Sequence, residues 1–285
     1  MRELFTMWRN TRMIVLVAVS AAAYVAVLMP FKGLVIVPGL TEVRPGAAIP
    51  VVMSFLLGPA AAWGSGFGNV IADALGGMLG PGSLFGFIGN FLYGYVPYAL
   101  WRAFMGRKNP VRSGVKGWLT MLLILVTNAI VIGSFIGWGA DVMRLAPFAA
   151  LGPIIAINNF IASGSIATIL LALLYSRVEA LGLLYYQVLD DETPAPAGEF
   201  EPGPRSGTAD DYEPAPGPRK RPVAFALLLI AGAVLAFGSG VIVSGEVLGA
   251  GYGAAALAGK QAGTLTVALR MAPGLLMVLL ASALL

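Results

Sequence analysis

Residues 46–80 read GAAIPVVMSFLLGPAAAWGSGFGNVIADALGGMLG, and the way this stretch is cut decides the fold. It is too long and too apolar for one crossing of a bilayer, which takes about 20 residues. Its strongest interruption is Gly58-Pro59, a pair that breaks helices on both sides. Two spans, 46–62 and 63–80, are therefore expected, with Gly58-Pro59 as the turn between them.

Working outward, comparable apolar blocks occur at 13–29, 84–104, 117–136 and 152–176, and two more at 222–243 and 264–284. The first follows a basic start, as in a signal peptide. It lacks a small-x-small cleavage site before a polar mature start, so 13–29 is expected to be a retained helix. Polar and apolar residues do not alternate strictly, which argues against a β-barrel. Charged residues make up 11% of the chain, less than half of the roughly 25% that keeps a soluble domain wet. The fold class is an all-α polytopic membrane protein with eight spans. The chain has no His and no Cys. That removes disulfides, His/Cys zinc sites, a histidine base and a cysteine nucleophile. No catalytic residue, metal or cofactor is expected.

Between the sixth and seventh blocks lies Asp190–Arg221, which holds Pro194, Pro196, Pro202, Pro204, Pro214, Pro216 and Pro218 among eight acidic residues. Such a composition buries too little apolar surface to order itself and reads as a solvated tether. The expected organisation is a six-helix body at 1–180, a disordered acidic linker at 181–221 and a two-helix transmembrane hairpin at 222–285.

Lys and Arg set the orientation. Arg2, Arg9 and Arg12 precede span 1, and Arg102, Arg107, Lys108, Arg112 and Lys116 crowd the connection between spans 4 and 5. Arg177 follows span 6, and Arg205, Arg219, Lys220 and Arg221 lie before span 7. Even numbers of crossings separate these groups, so all fit on the cytoplasmic side of a plasma membrane, together with both termini. The net charge of +4 is this topological bias, and no nucleic acid is implied.

Polar groups inside a membrane are costly and mark candidate sites. Counting from the Gly58-Pro59 turn at about 1.5 Å per residue, Arg44 and Asp73 both stand roughly 21 Å above it, able to pair or to share a polar ligand. Asn69 shares a helix face with Asp73. Asn90 and Tyr93 in span 4, Asn128 in span 5, and Asn158 and Asn159 in span 6 add polar groups to the same half. Glu42 and Arg144 lie in the adjoining outer loops. The pattern describes a cup open to the outside. The competing reading is that these amides are inter-helix glue. In span 1, Ala18, Ala22 and Ala26 make a small-xxx-small strip suited to close helix approach, as do Gly64-Gly68 and Gly86-Asn90-Gly94 elsewhere.

No G-x-x-x-x-G-K-[ST] phosphate loop occurs, so the chain is not expected to hydrolyse ATP. Nor does it hold paired broken spans with mid-membrane charges, the mark of ion-coupled carriers. A binding cup without an energy source implies a partner.

The stretch 41–101, TEVRPGAAIPVVMSFLLGPAAAWGSGFGNVIADALGGMLGPGSLFGFIGNFLYGYVPYALW, resembles the S components of energy-coupling factor (ECF) vitamin transporters. The marks are LLGP at Leu56–Pro59, then Gly64, Gly66 and Gly68 leading to Asp73, and FIGNFLYG at Phe87–Gly94. The resemblance covers about residues 10–178. It implies a six-helix subunit that captures a small water-soluble vitamin or related micronutrient outside. ATP-driven uptake would then need a T component and ATPase subunits. It also implies that Ala18, Ala22 and Ala26 dock on the T component and that the loop Pro30–Pro45 closes over the ligand. The linker and hairpin are additions to the family pattern. On this reading Arg44 offers a bidentate fork to an anionic group, Asp73 and the Asn set orient polar atoms, and Tyr93 or Trp138 stacks on a ring. The alternative is an autonomous secondary carrier or facilitator. A membrane enzyme or scaffold ranks below both, with Asp73 and Glu246 as the only candidate intramembrane acids.

Overall fold

The computed structural model describes residues 2–31, 35–37, 41–42, 44–190, 220–248 and 265–285. Helices α1 (Arg2–Thr6) and α2 (Thr11–Leu28) are followed by two short antiparallel strands, β1 (Val35–Val37) and β2 (Thr41–Glu42). Then come α3 (Ala48–Leu57), α4 (Pro59–Leu75), α5 (Gly82–Met105), α6 (Gly114–Val142) and α7 (Phe148–Ala162). A π-helical turn at Ser163–Ala167 leads into α8 (Thr168–Ala180), and α9 (Tyr185–Asp190) ends the body. The C-terminal pair is α10 (Lys220–Leu248) and α11 (Leu265–Leu284). The protein is an all-α polytopic membrane protein. Five helical stretches, Thr11–Phe31, Gly114–Val142, Phe148–Leu189, Arg221–Ser244 and Leu265–Leu284, are long and apolar enough to cross a membrane on those grounds alone. The ten-residue α3 is shorter, and α4 and α5 are diluted by glycines and polar residues.

The expected cut at 62/63 moves four residues upstream. Gly58 sits at φ +55°, ψ −120°, which a side chain resists, and Pro59 starts α4 at a position where its missing N–H costs nothing. A Cβ on Gly58 would also stand 2.8 Å from the Tyr185 ring. At the other end α4 stops at Leu75 rather than residue 80, because Gly77 turns at φ +67°. Helix α10 runs on to Leu248, past the expected end of the seventh span at 243, so Glu246 has helical backbone. The ordered body also extends past 180. Leu184, Tyr186 and Val188 insert into the core, carrying residues 181–190 with them. Residues 191–219 of the expected linker lie outside the described residues, as do residues 32–34, 38–40 and 43 of Pro30–Pro45.

Sequential helices pack side by side: α2 on α4, α4 on α5, α5 on α6 and α6 on α7. The α10–α11 pair packs on α6, with α10 also touching α5 and α7. Within α5, Pro97 has no N–H for the carbonyl of Tyr93 one turn back. Asn128 of α6 takes over, its Nδ2 donating to that carbonyl at 3.0 Å, and Ser54 of α3 accepts the Tyr98 N–H at 2.9 Å. Polar side chains thus bind the neighbours of α5 to the break in its ladder.

One end of the bundle gathers α1, the Gly58 turn, the α5–α6 connection and α9. Asn10 caps α2 by accepting from Met13 N–H (3.0 Å) and donates to the Val188 carbonyl (3.3 Å). Glu3 accepts from Arg102 and from the Tyr98 hydroxyl. Burial alone would raise the Glu3 carboxyl, but Arg102's hydrogen bond and charge, aided by Tyr98, hold it below the ordinary glutamate value. A carboxylate so depressed contributes stability above its unfolded pKa, and loses it as pH falls through the folded one. The pair is partly exposed, so about 1 kcal/mol is the most it should supply. Glu3→Gln is therefore expected to melt slightly below wild type at pH 7, with the gap closing below about pH 4. Thermal melts of detergent-solubilised protein at both pH values read this.

Candidate functional site

The opposite end of the bundle holds a cavity of about 270 Å³, small even beside ligand pockets that start near ~300 Å³. Its walls come from the last turns of α4 (Asn69, Asp73), the α4–α5 connection, the start of α5 (Ser83, Phe85, Gly86), the end of α6 and one face of α7 (Leu151, Ile155, Asn159). Arg44 reaches it from the segment ahead of α3. The Gly58 turn makes this possible, since it sends α3 and α4 back along each other and brings residues 44 and 73 to equal height.

Within the cavity Asp73 is the centre of a small polar network. Its Oδ2 accepts from Asn69 Nδ2 (3.1 Å) and from the Ser83 hydroxyl (2.9 Å). Ser83 in turn accepts from the Gly80 N–H at 3.3 Å, so the Gly80-Pro81-Gly82 turn aims it at Asp73. Gly86 leaves room for this arrangement, because a Cβ there would stand 2.7 Å from Asn69 Nδ2. Asn69 and Ser83 are buried and Asp73 is half-buried. Asn159 from α7 also lines the cavity, its Nδ2 donating to Ile155 O at 2.8 Å. Phe85, Ile136, Leu151 and Ile155 supply the apolar part of the lining. One cation, one carboxylate, two amides and a hydroxyl beside an apolar wall can orient a small polar molecule with an apolar face. Among the described residues no group of three or more potential metal ligands occurs.

Four of the residues picked out in the sequence, Arg44, Asn69, Asp73 and Asn159, thus come together. The others lie elsewhere. Asn90 is buried one turn below Gly86, accepting from the Tyr24 hydroxyl (2.9 Å) and donating to Gly86 O (2.8 Å). Tyr93 is fully buried, its hydroxyl donating to the Asn159 carbonyl at 3.2 Å, and Asn128 braces the Pro97 break. Trp138 stands behind Phe85, ring centroids 5.8 Å apart, and donates to Ala268 O at 3.4 Å. Asn158 is half-buried beside Asn159 but does not line the cavity. Glu42 belongs to β2, and its side chain lies outside the described residues. Ala18, Ala22 and Ala26 are exposed along α2, whose opposite face (Met13, Leu16, Val17, Tyr24, Leu28) is buried in the bundle.

Ser83 and Asp141 are among the polar residues that escaped the sequence reading. Ser83 carries a weak signal, a hydroxyl directly after a Gly-Pro-Gly turn. Asp141, 1% exposed, is a buried acid near the end of α6, and its Oδ2 accepts the Phe148 N–H at 2.8 Å.

Among the described residues, a helical membrane body carries a compact cavity of mixed polar and apolar lining at one end, and the class it belongs to is a transporter rather than an enzyme, as its family shows. The family model described as QueT transporter matches residues 14–176, more than half of the chain, and the chain belongs to that family. Membership agrees with the resemblance to S components, because QueT is an S component of the ECF type. Comparison with curated proteins and with solved structures returned no match.

Proposed function

We propose that this chain is the substrate-capture subunit of an ECF-type importer and that its ligand is a queuosine precursor, taken up from the outer side through the Arg44–Asp73 cavity. The ligand class is the one assigned to the QueT family. Queuosine is built on a 7-deazaguanine ring, and the cavity's chemistry suits it. A guanine-type edge presents adjacent N–H donors, which a carboxylate such as Asp73 accepts, and a ring carbonyl, to which an arginine such as Arg44 donates. The apolar wall at Phe85 and Leu151 suits a flat ring. Uptake would be driven by a T component and ATPase subunits, with Ala18, Ala22 and Ala26 as the close-approach strip. The abundance of Lys and Arg at the α1 end supports placing that end in the cytoplasm.

The observation that carries the reading is the convergence of Arg44, Asn69, Asp73 and Ser83 in one cavity at the end away from those cations. The test is equilibrium binding of a 7-deazaguanine base to the purified protein, with thiamine and biotin as competitors. Saturable binding that neither vitamin displaces is expected. Absence of binding would sink the ligand assignment, and transport of the base by the chain alone in vesicles would favour an autonomous facilitator instead.

A further inference from the structure

We propose that the C-terminal hairpin is a positioning element of the ligand cavity, holding α7 in place against α6. The inference rests on the reading that this cavity takes the ligand. No described hairpin residue lines the cavity, so the influence of those residues passes through the helices that do.

The start of α7 is the first link. Pro147 precedes it and supplies no side-chain cap, yet the first N–H groups of a helix need acceptors. They find them on two other helices: Phe148 N–H donates to Asp141 of α6 at 2.8 Å, and Ala149 N–H donates to the Ser244 hydroxyl of α10 at 3.0 Å. Half of this cap therefore belongs to the hairpin. The fully buried Phe148 ring is the second link. It meets Phe237 of α10 edge-on at 5.7 Å, and it leaves so little space that a Cβ on Gly240 of α10 would stand 2.5 Å from it. Gly137 of α6 and Gly152 of α7 are also close to it, at 3.0 and 2.7 Å for the same construction. One ring thus locks α6, α7 and α10 together, three residues before Leu151 and seven before Ile155 of the cavity wall. A third link runs from Ala268 of α11 through Trp138 to Phe85. An anchor for the linker alone would need no polar contact with cavity helices.

The absence of native cysteine allows a direct test in the full-length protein. Leu151→Cys, at a position 2% exposed, is labelled with a small methanethiosulfonate reagent, and binding of a 7-deazaguanine base is measured in parallel. Ser244→Ala should weaken binding about fivefold and speed labelling by a similar factor, and Ser244→Thr, which keeps the hydroxyl, should restore both. Gly240→Val should have a larger effect, about tenfold or more, by driving α10 off Phe148. Leu16→Cys on the distant α2–α4 side should label at its wild-type rate in every background. Unchanged affinity and labelling in both variants would overturn the inference. So would equal acceleration at Leu16→Cys, which would mean general loosening. If the wild type fails to bind the base while labelling of Leu151→Cys still responds, the ligand assignment fails and the positioning role stands.

Discussion

Asp73→Asn is expected to weaken capture of a 7-deazaguanine base about a hundredfold while leaving insertion and folding intact. The carboxylate already holds two donors, Asn69 Nδ2 and the Ser83 hydroxyl, on one oxygen. An amide keeps one acceptor oxygen and replaces the other with two N–H groups. Whichever way it turns, either a donor in the cavity loses its acceptor or an N–H faces a ligand N–H. Hydrogen bonds to a charged group are worth about 1.5–3 kcal/mol each, so losing the ligand's share gives this factor. Because Asp73 is only half-buried, unliganded stability should fall by about 1 kcal/mol or less. Arg44→Ala should act in the same direction. Titration of purified variants, beside their melting curves, separates binding from folding, and wild-type affinity in Asp73→Asn would remove this carboxylate from the site.

Gly94→Val should produce the largest loss of stability. A Cβ at Gly94 would stand 2.6 Å from the Ala61 carbonyl oxygen and 2.6 Å from Ser65 Oγ, which itself donates to that carbonyl. Backbone cannot swing aside as a side chain can, so α4 and α5 would have to separate along their shared seam. Overpacking of this kind costs about 3 kcal/mol or more, which in a chain of this size lowers the melting temperature by roughly 10 °C. Gly238→Ala on α10 is the control, since a Cβ there meets nothing within 4 Å and alanine favours the helix. A Gly94→Val protein that melts with the wild type would show that the α4–α5 approach is looser than described.

The sequence was most legible where chemistry acts locally. Gly58-Pro59 breaks a helix by itself, so both the turn and the equal height of Arg44 and Asp73 followed from counting residues. Asn128 could not be interpreted that way. Its role depends on Pro97, on a neighbouring helix, withholding an N–H from the Tyr93 carbonyl, and only packing pairs the two. Asp141 and Ser244 are hidden for the same reason: each caps a helix to which it does not belong. Tyr93 and Asn90 carry the chemistry of ligand contacts, but they sit one layer beneath the cavity, a depth that residue counting does not separate from the wall. The body ran on past residue 180 because the apolar Leu184, Tyr186 and Val188 outweigh the polar residues that follow.

The shortness of α3 has an electrical meaning. With the 3₁₀ turn Pro45–Ala47 before it, the segment rises only about 21 Å, against a hydrocarbon core of about 30 Å. With the Gly58 turn at the cytoplasmic surface, as proposed above, Arg44 and the cavity beside it would be recessed, and an open aqueous recess carries little of the membrane voltage. The field is compressed into the apolar layer beneath. A charged solute would reach this cavity almost free of electrical work, and the roughly 2.3 kcal/mol per charge per 100 mV would fall on the later step that carries it through.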